Sequence, residues 1–312
     1  MLEKEFLERV QKTAVELLRS REVFEDITQE ITGGKMIRPR TIYTLASSMK
    51  EADIKILIPL ATSTELVHLA SLFHDDVIDN GTIRRGRPTL NARYGNLISI
   101  LAGDYFYSVA SHLVLENYDT GVAKTYSDAV SHMTLMELRQ ASLRWNIGLG
   151  EEQYFDIIKG KTGALFSASF ESIGIILKRT ETEREHLKKA GMLFGEIFQL
   201  TDDLLDFIGT GTGKSRLKDL SEGDITLPSI LLMKKDNRFR KLVSEYFESR
   251  GEKYLLIKEI ENILDDINSP AEEINEIITK NKTAIENHLR HINNFSPETF
   301  SALIKSVSMR TR

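Results

Sequence analysis

The sequence predicts an all-α fold. Apolar residues recur at three- and four-residue spacing along nearly the whole chain, and no segment alternates apolar and polar residues as a half-buried strand would. Gly and Pro are scattered instead of gathered into a linker, so no seam divides the chain. With 312 residues, 41% of them hydrophobic, a large core can be buried, and one domain over 1–312 is expected.

Helices are expected at 2–20, 38–50, 57–79, 96–117, 121–143, 151–177, 182–208, 226–234, 237–249, 252–267, 270–292 and 297–308. Pro59 is expected to kink or restart its helix, and Ser269-Pro270 and Ser296-Pro297 place proline at the first helical position, followed by glutamates in the first turn. The helices at 57–79 and 182–208 are apolar on several faces, which marks them as central, with ends opening into a cavity. Three segments lack helical pattern, 31–37, 80–95 and 209–225, and they are rich in Gly and basic residues. Such loops on a rigid scaffold are where binding residues gather.

Composition removes several function classes. There is no cysteine, so disulfides, thiolate metal sites and a cysteine nucleophile are excluded. A net charge of −5 leaves no overall footprint for nucleic acid, and basic residues cluster only at Lys35 to Arg40 and Arg84 to Arg87. The N-terminal residues have no apolar signal core, and no uncharged run approaches the ~18 residues that span a bilayer. A soluble, cytoplasmic protein that does not span a membrane is expected.

Two acidic clusters carry the chemistry. His74-Asp75-Asp76-Val77-Ile78-Asp79 and Thr201-Asp202-Asp203-Leu204-Leu205-Asp206 share one D-D-x-x-D spacing, and each closes an apolar helical run. Helical residues four apart share a face, so Asp75 can align with Asp79 and Asp202 with Asp206, with Asp76 and Asp203 beside them. Six carboxylates converging on one cavity would repel unless a cation stood among them. Magnesium fits, because it takes oxygen ligands, keeps waters, and is held by one or two carboxylates together with substrate phosphates. The basic segment Gly33-Gly34-Lys35-Met36-Ile37-Arg38-Pro39 brings two cations to a helix start, and Gly81-Thr82-Ile83-Arg84-Arg85-Gly86-Arg87 lies directly beyond the first cluster. Either can hold phosphate, or, for the second, pair with the nearby aspartates.

In order, GGKMIRP, LVHLASLFHDDVIDNGTIRRGRPT, YGNLISILAGDYF, KGKTGALF, GEIFQLTDDLLDF and TGKSRLKDLSEGDITLP resemble the trans-prenyltransferases, the polyprenyl diphosphate synthase family, from about residue 30 to 230. The resemblance implies a single large helical bundle of the isoprenoid synthase type, and an enzyme that condenses isopentenyl diphosphate with an allylic diphosphate. It implies three magnesium ions, with Asp75, Asp79 and Asp202 as ligands and Asp76, Asp203 and Asp206 completing the shells. Isopentenyl diphosphate would meet Lys35, Arg38, His68 and Arg85. The allylic diphosphate would meet Arg84, Lys161, Thr162, Gln199 and Lys214. The alternatives are a non-catalytic or partner-dependent subunit of a heteromeric synthase, and a terpene cyclase, which would have no use for Lys35, Arg38 and Arg85.

One position departs from the family pattern. Asp224 stands where the family commonly has a lysine that reaches the allylic diphosphate, and Lys218 is the expected substitute. The small residues Ala70 and Ser71, five and four positions before Asp75, leave the upper tunnel open, where family members that stop at about fifteen carbons resemble one another in having aromatic side chains. A longer all-trans product is therefore expected. Tyr126 is the candidate floor, with Met133, Met136 and Tyr107 as rivals. A homodimer through the helices near 96–143 is also implied.

Overall fold

The computed structural model describes residues 1–19, 27, 30–31, 34–49, 53–84, 86–209, 216–264 and 269–308. Three residues of interest, Gly33, Arg85 and Lys214, lie outside the described residues. The fold is all-α. Among the described residues the only strands are the two-residue pair Ile83–Arg84 and Arg87–Pro88, joined antiparallel in the segment expected to be irregular.

The chain divides into two compact units. The first comprises Met1–Val130, Ala168–Lys188 and Arg290–Phe300; the second comprises Ser131–Ser167, Lys189–Leu289 and Ser301–Arg312.

In the first unit the helix Glu3–Arg19 buries Phe6, Val10, Ala14 and Leu18, four residues apart on one stripe. The long helices Ile58–Ile78 and Asn96–Asn117 pack antiparallel, because Ser63 donates to the Ala110 carbonyl at one end and Ser99 to the Phe73 carbonyl at the other. Phe73 and Phe106 meet edge to face at 5.2 Å between them. Pro59 sits in the first turn of its helix, after the tight turn Ile54–Leu57, so it starts the helix without kinking it. Both long helices are apolar enough to reach across a bilayer by length and composition, but Ile58–Ile78 buries twelve of its residues, including Glu65 and Asp76, in the unit's core.

In the second unit the helical stretch expected at 151–177 is interrupted. Glu151–Ile158 widens into a π-helical turn, Lys159–Gly163, before Ala164–Ile176 resumes. The widened turn is closely packed. A Cβ on Gly160 would stand 2.0 Å from the Met136 side chain, and one on Gly195 would stand 2.5 Å from the Gly163 backbone. The helix Glu181–Ile208 brings Gly191 and Gly195, four residues apart, against the backbone of residues 162–167. Phe166 and Phe194 close the contact edge to face at 5.0 Å. In the C-terminal region, Asn281 on Ala271–Leu289 donates to the buried Glu196 carboxylate at 3.1 Å.

Candidate active site

Both acidic clusters lie at the C-terminal ends of long helices, Ile58–Ile78 and Glu181–Ile208. That is the wrong end for anions, since unsatisfied carbonyls give a helix C-terminus partial negative charge. A cation placed there removes the conflict.

The first unit separates the roles of its three aspartates. Asp76 is buried, and the Arg84 guanidinium donates to it through Nε at 2.9 Å and Nη2 at 2.8 Å. The same turn is stitched down by Asn91, whose amide donates to the carbonyls of Asp76 and Gly81, and by Thr89, which donates to the Gly81 carbonyl. Asp75 and Asp79 remain partly exposed on one face, joined by the Asp79 N–H to Asp75 carbonyl bond of 2.8 Å. Of the aspartates at this helix end, these two are partly exposed, while Asp76 is buried against Arg84. Arg84 meets an aspartate of the first cluster, the plainer of its two expected roles.

His68 is half-buried two turns before Asp75, and its carbonyl accepts from Ser71 at 2.8 Å. Lys35 is exposed and Arg38 half-buried. They flank the start of the helix Ile37–Ser47, where Met36 takes the left-handed conformation. Ala70 is fully buried and Ser71 partly so. Tyr126 is 2% exposed, and burial beside Thr64 and Tyr107 pushes its phenol well above its ordinary range.

The second unit ties its cluster into a hydrogen-bond chain. Thr162 donates to the Gln199 carbonyl oxygen at 2.5 Å, and the Gln199 amide donates to Asp203 Oδ1 at 2.7 Å. Tyr154 donates to Asp203 Oδ2 at 2.6 Å. Asp203 is 3% exposed, and burial raises its carboxyl from 3.8 to about 7, although both hydrogen bonds favour the anion. Asp206 is turned elsewhere. Its two carboxylate oxygens accept the backbone N–H groups of Lys218 and Asp219, each at 3.1 Å. Burial also raises the carboxyls of Asp206 and Asp219. Asp202 stays partly exposed.

Lys161 projects from the π-helical turn, and its ammonium meets Glu137 at 2.8 Å and Gln140 at 3.1 Å. π-Helical turns inside α-helices recur at functional sites, because they redirect side chains that a regular helix would space differently. Lys218, the expected substitute for a cation at 224, pairs with Glu222 at 3.2 Å. Asp224 instead meets Arg144 at 3.5 Å. Met136 packs against Gly160. Sequence reasoning missed Tyr154, Glu137, Gln140 and Arg144. Only Tyr154 carried a usable signal, lying two helical turns before Lys161 in an acidic first turn.

The buried carboxyl has a measurable consequence. Folded Asp203 keeps a proton that the unfolded chain releases, so between pH 4 and about 7 the folded state binds more protons and stability falls as pH rises. Asp206 and Asp219 act in the same direction. In metal-free protein, Asp203→Asn should flatten the fall in Tm across that window. Equal pH slopes in the variant and the parent would contradict the assignment.

Comparison with known proteins adds three findings. The family described as polyprenyl synthetase matches residues 21–264. Octaprenyl diphosphate synthase of Haemophilus influenzae is 35% identical over 224 residues, 71% of this chain and 68% of that protein; its Escherichia coli counterpart is 36% identical over 203 residues, 64% and 62% respectively. Among solved structures, a decaprenyl diphosphate synthase from Rhodobacter capsulatus superposes with a TM-score of 0.87 at 27% identity, covering 99% of this chain and 97% of that one.

Proposed function

Because the chain belongs to the polyprenyl synthetase family, we propose that it is an all-trans polyprenyl diphosphate synthase that extends an allylic diphosphate with isopentenyl diphosphate to a product longer than fifteen carbons. The observation that carries this reading is the presence of an aspartate cluster at the C-terminal end of each of two long helices, with Asp75, Asp79 and Asp202 partly exposed. Each relative named above makes a long product by its own description, eight or ten prenyl units.

The donor set suits magnesium. All three partly exposed carboxylates are hard oxygen donors, and among the described residues no three His, Asp or Glu side chains gather tightly enough to hold a metal alone. An ion that takes one or two carboxylates and fills its shell with water and diphosphate oxygens is what such a site accepts. Asp75, Asp79 and Asp202 would hold it, three ions in all. When bound, magnesium neutralises charge on the departing diphosphate.

The chain's own residues do the rest. Lys161, Thr162 and Gln199 would meet the allylic diphosphate, with Arg84 and Lys214 as further cations. Lys35, Arg38, His68 and Arg85 would hold isopentenyl diphosphate. The double bond of isopentenyl diphosphate would attack the allylic cation left when diphosphate departs, and the new tertiary cation would lose its proton to that released diphosphate, so no side-chain base is needed. The apolar helix faces keep water from that cation. Ala70 and Ser71 let the chain pass, and Tyr126, closed in by Thr64 and Tyr107, is its floor. Leu97, Ile100, Leu101 and Leu115 are exposed on Asn96–Asn117, and Leu135 and Leu138 on Thr120–Leu143, which supports a homodimer. We place the enzyme in the cytoplasm.

The test is incubation of purified protein with magnesium, labelled isopentenyl diphosphate and farnesyl diphosphate. Longer diphosphates are the expected products. Absence of incorporation would favour a partner-dependent subunit, and accumulation of a fifteen-carbon product alone from geranyl diphosphate would sink the chain-length claim. Tyr126→Ala should lengthen the longest product by at least one five-carbon unit; an unchanged distribution would remove Tyr126 as the floor.

A further inference from the structure

The segment that follows the second aspartate cluster is held at both ends. At its start, the Asp206 carboxylate accepts the N–H groups of Lys218 and Asp219, and the Asp206 carbonyl accepts that of Leu217 at 3.0 Å. At its end, the Trp145 N–H donates to the Gly223 carbonyl at 2.8 Å, and Arg144 meets Asp224 at 3.5 Å with both side chains mostly buried. Trp145 is held in the left-handed conformation with φ of 63°. Its indole lies flush against Gly223, where a Cβ would come within 2.5 Å of the ring, and near Gly251, where one would come within 2.9 Å. Tyr246 and Phe247 close the far side, at 5.9 and 5.3 Å between ring centroids, and Tyr246 also donates to the Ser221 carbonyl at 3.1 Å.

A non-glycine residue with positive φ costs energy that its surroundings must offset. Here the indole packing, one backbone hydrogen bond and one screened ion pair do so. Arg144 also follows directly on the helix Thr120–Leu143, which carries Gln140 in its last turn, and Gln140 touches Lys161. The same helix end therefore reaches toward both the Lys161 turn and the 217–224 segment.

We propose that Arg144 and Trp145 form a latch, with Asp224 and Gly223 as its catch, that positions the segment bearing Asp219 and the amides on which Asp206 rests. Arg144 and Asp224 are positioning residues, and Asp224 serves as a counterion to Arg144 rather than facing substrate. The inference rests on the prenyl-transfer reading of the second cluster.

Two electrostatic expectations separate the latch from simple charge effects. If the charge at 224 acted directly on diphosphate, Asp224→Lys would strengthen allylic binding, because it replaces an anion by a cation. The latch predicts the reverse. Asp224→Lys sets two cations together and should raise KM for the allylic substrate about tenfold, with KM for isopentenyl diphosphate within twofold of the parent, an effect the size of a broken partly buried ion pair. The reciprocal exchange Arg144→Asp with Asp224→Arg should recover most of the loss. The parent enzyme is assayed alongside. If it shows no incorporation, the functional reading fails. If the parent is active and Asp224→Lys lowers the allylic KM, or the reciprocal exchange recovers nothing while its Tm equals the parent's, the latch is overturned.

Discussion

Replacing Asp202 or Asp75 by alanine should lower turnover by about 10²–10³-fold or more, the loss that follows removal of a group stabilising charge in the transition state. The same substitutions should leave the fold intact. Each carboxylate is partly exposed at a helix C-terminus, where negative charge opposes the helix dipole, so its removal relieves a conflict worth about 0.3–1 kcal/mol. A Tm equal to or slightly above the parent's, combined with a collapse in turnover, is therefore the expected signature. Asp76→Ala should behave differently, because Asp76 is buried under two Arg84 hydrogen bonds and its loss leaves a half-buried guanidinium without that partner. Its Tm should fall. Parent-like turnover in Asp202→Ala would refute the metal assignment, and an unfolded Asp202→Ala would refute the division of roles among the aspartates.

Gly195→Ala is the second large effect. The added methyl would stand 2.5 Å from the Gly163 Cα, 3.0 Å from the Gly163 nitrogen and 3.2 Å from the Thr162 carbonyl oxygen. These are backbone atoms, so no side chain can swing aside. The helix Glu181–Ile208 has to back away from the π-helical turn, an overpacking cost of about 1–3 kcal/mol. A loss of that size lowers Tm by roughly 2–4 °C per kcal/mol in a domain of about 150–250 residues. Activity should drop as well, because the displaced turn carries Lys161 and Thr162, and Thr162 donates to Gln199 across the same contact. Differential scanning calorimetry and steady-state rates measure the two halves of the prediction. Unchanged Tm and turnover would show that the turn tolerates the extra methyl.

Much of this architecture was legible in the chain. Among the described residues, the recurrence of apolar residues at helical spacing located eleven of the twelve expected helices to within a few residues, and the glycine and basic content marked the segments between them. The twelfth, over 151–177, reads as one helix because a π-helical turn keeps helical apolar spacing on either side. The turn packs through a contact between Gly163 and Gly195, which are 32 positions apart by their numbers and meet only when the two helices are laid together. The short hairpin at Ile83–Pro88 and the turn Lys218–Ser221 were unreadable for a related reason. Two and four residues are too few for a periodicity, and both are tied to carboxylates from elsewhere, Asp76 for the hairpin and Asp206 for the turn.

The same division runs through the candidate site. The doubled D-D-x-x-D spacing, the basic loops and the small residues before Asp75 are properties of residue type and interval, which a sequence carries in full. By itself it determined an all-α chain of the polyprenyl synthetase family with oxygen-donor clusters at two helix ends. It could not apportion the six aspartates. Asp76 turns to Arg84, Asp203 to Tyr154 and Gln199, and Asp206 to the amides of Lys218 and Asp219, while Asp75, Asp79 and Asp202 stay partly exposed. Nor could it show that Asp224 faces Arg144. Identical carboxylates differ only in burial and partners, and those are fixed when helices pack, so the tertiary structure alone decided that Asp76 and Asp203 are buried while the other four stay partly exposed.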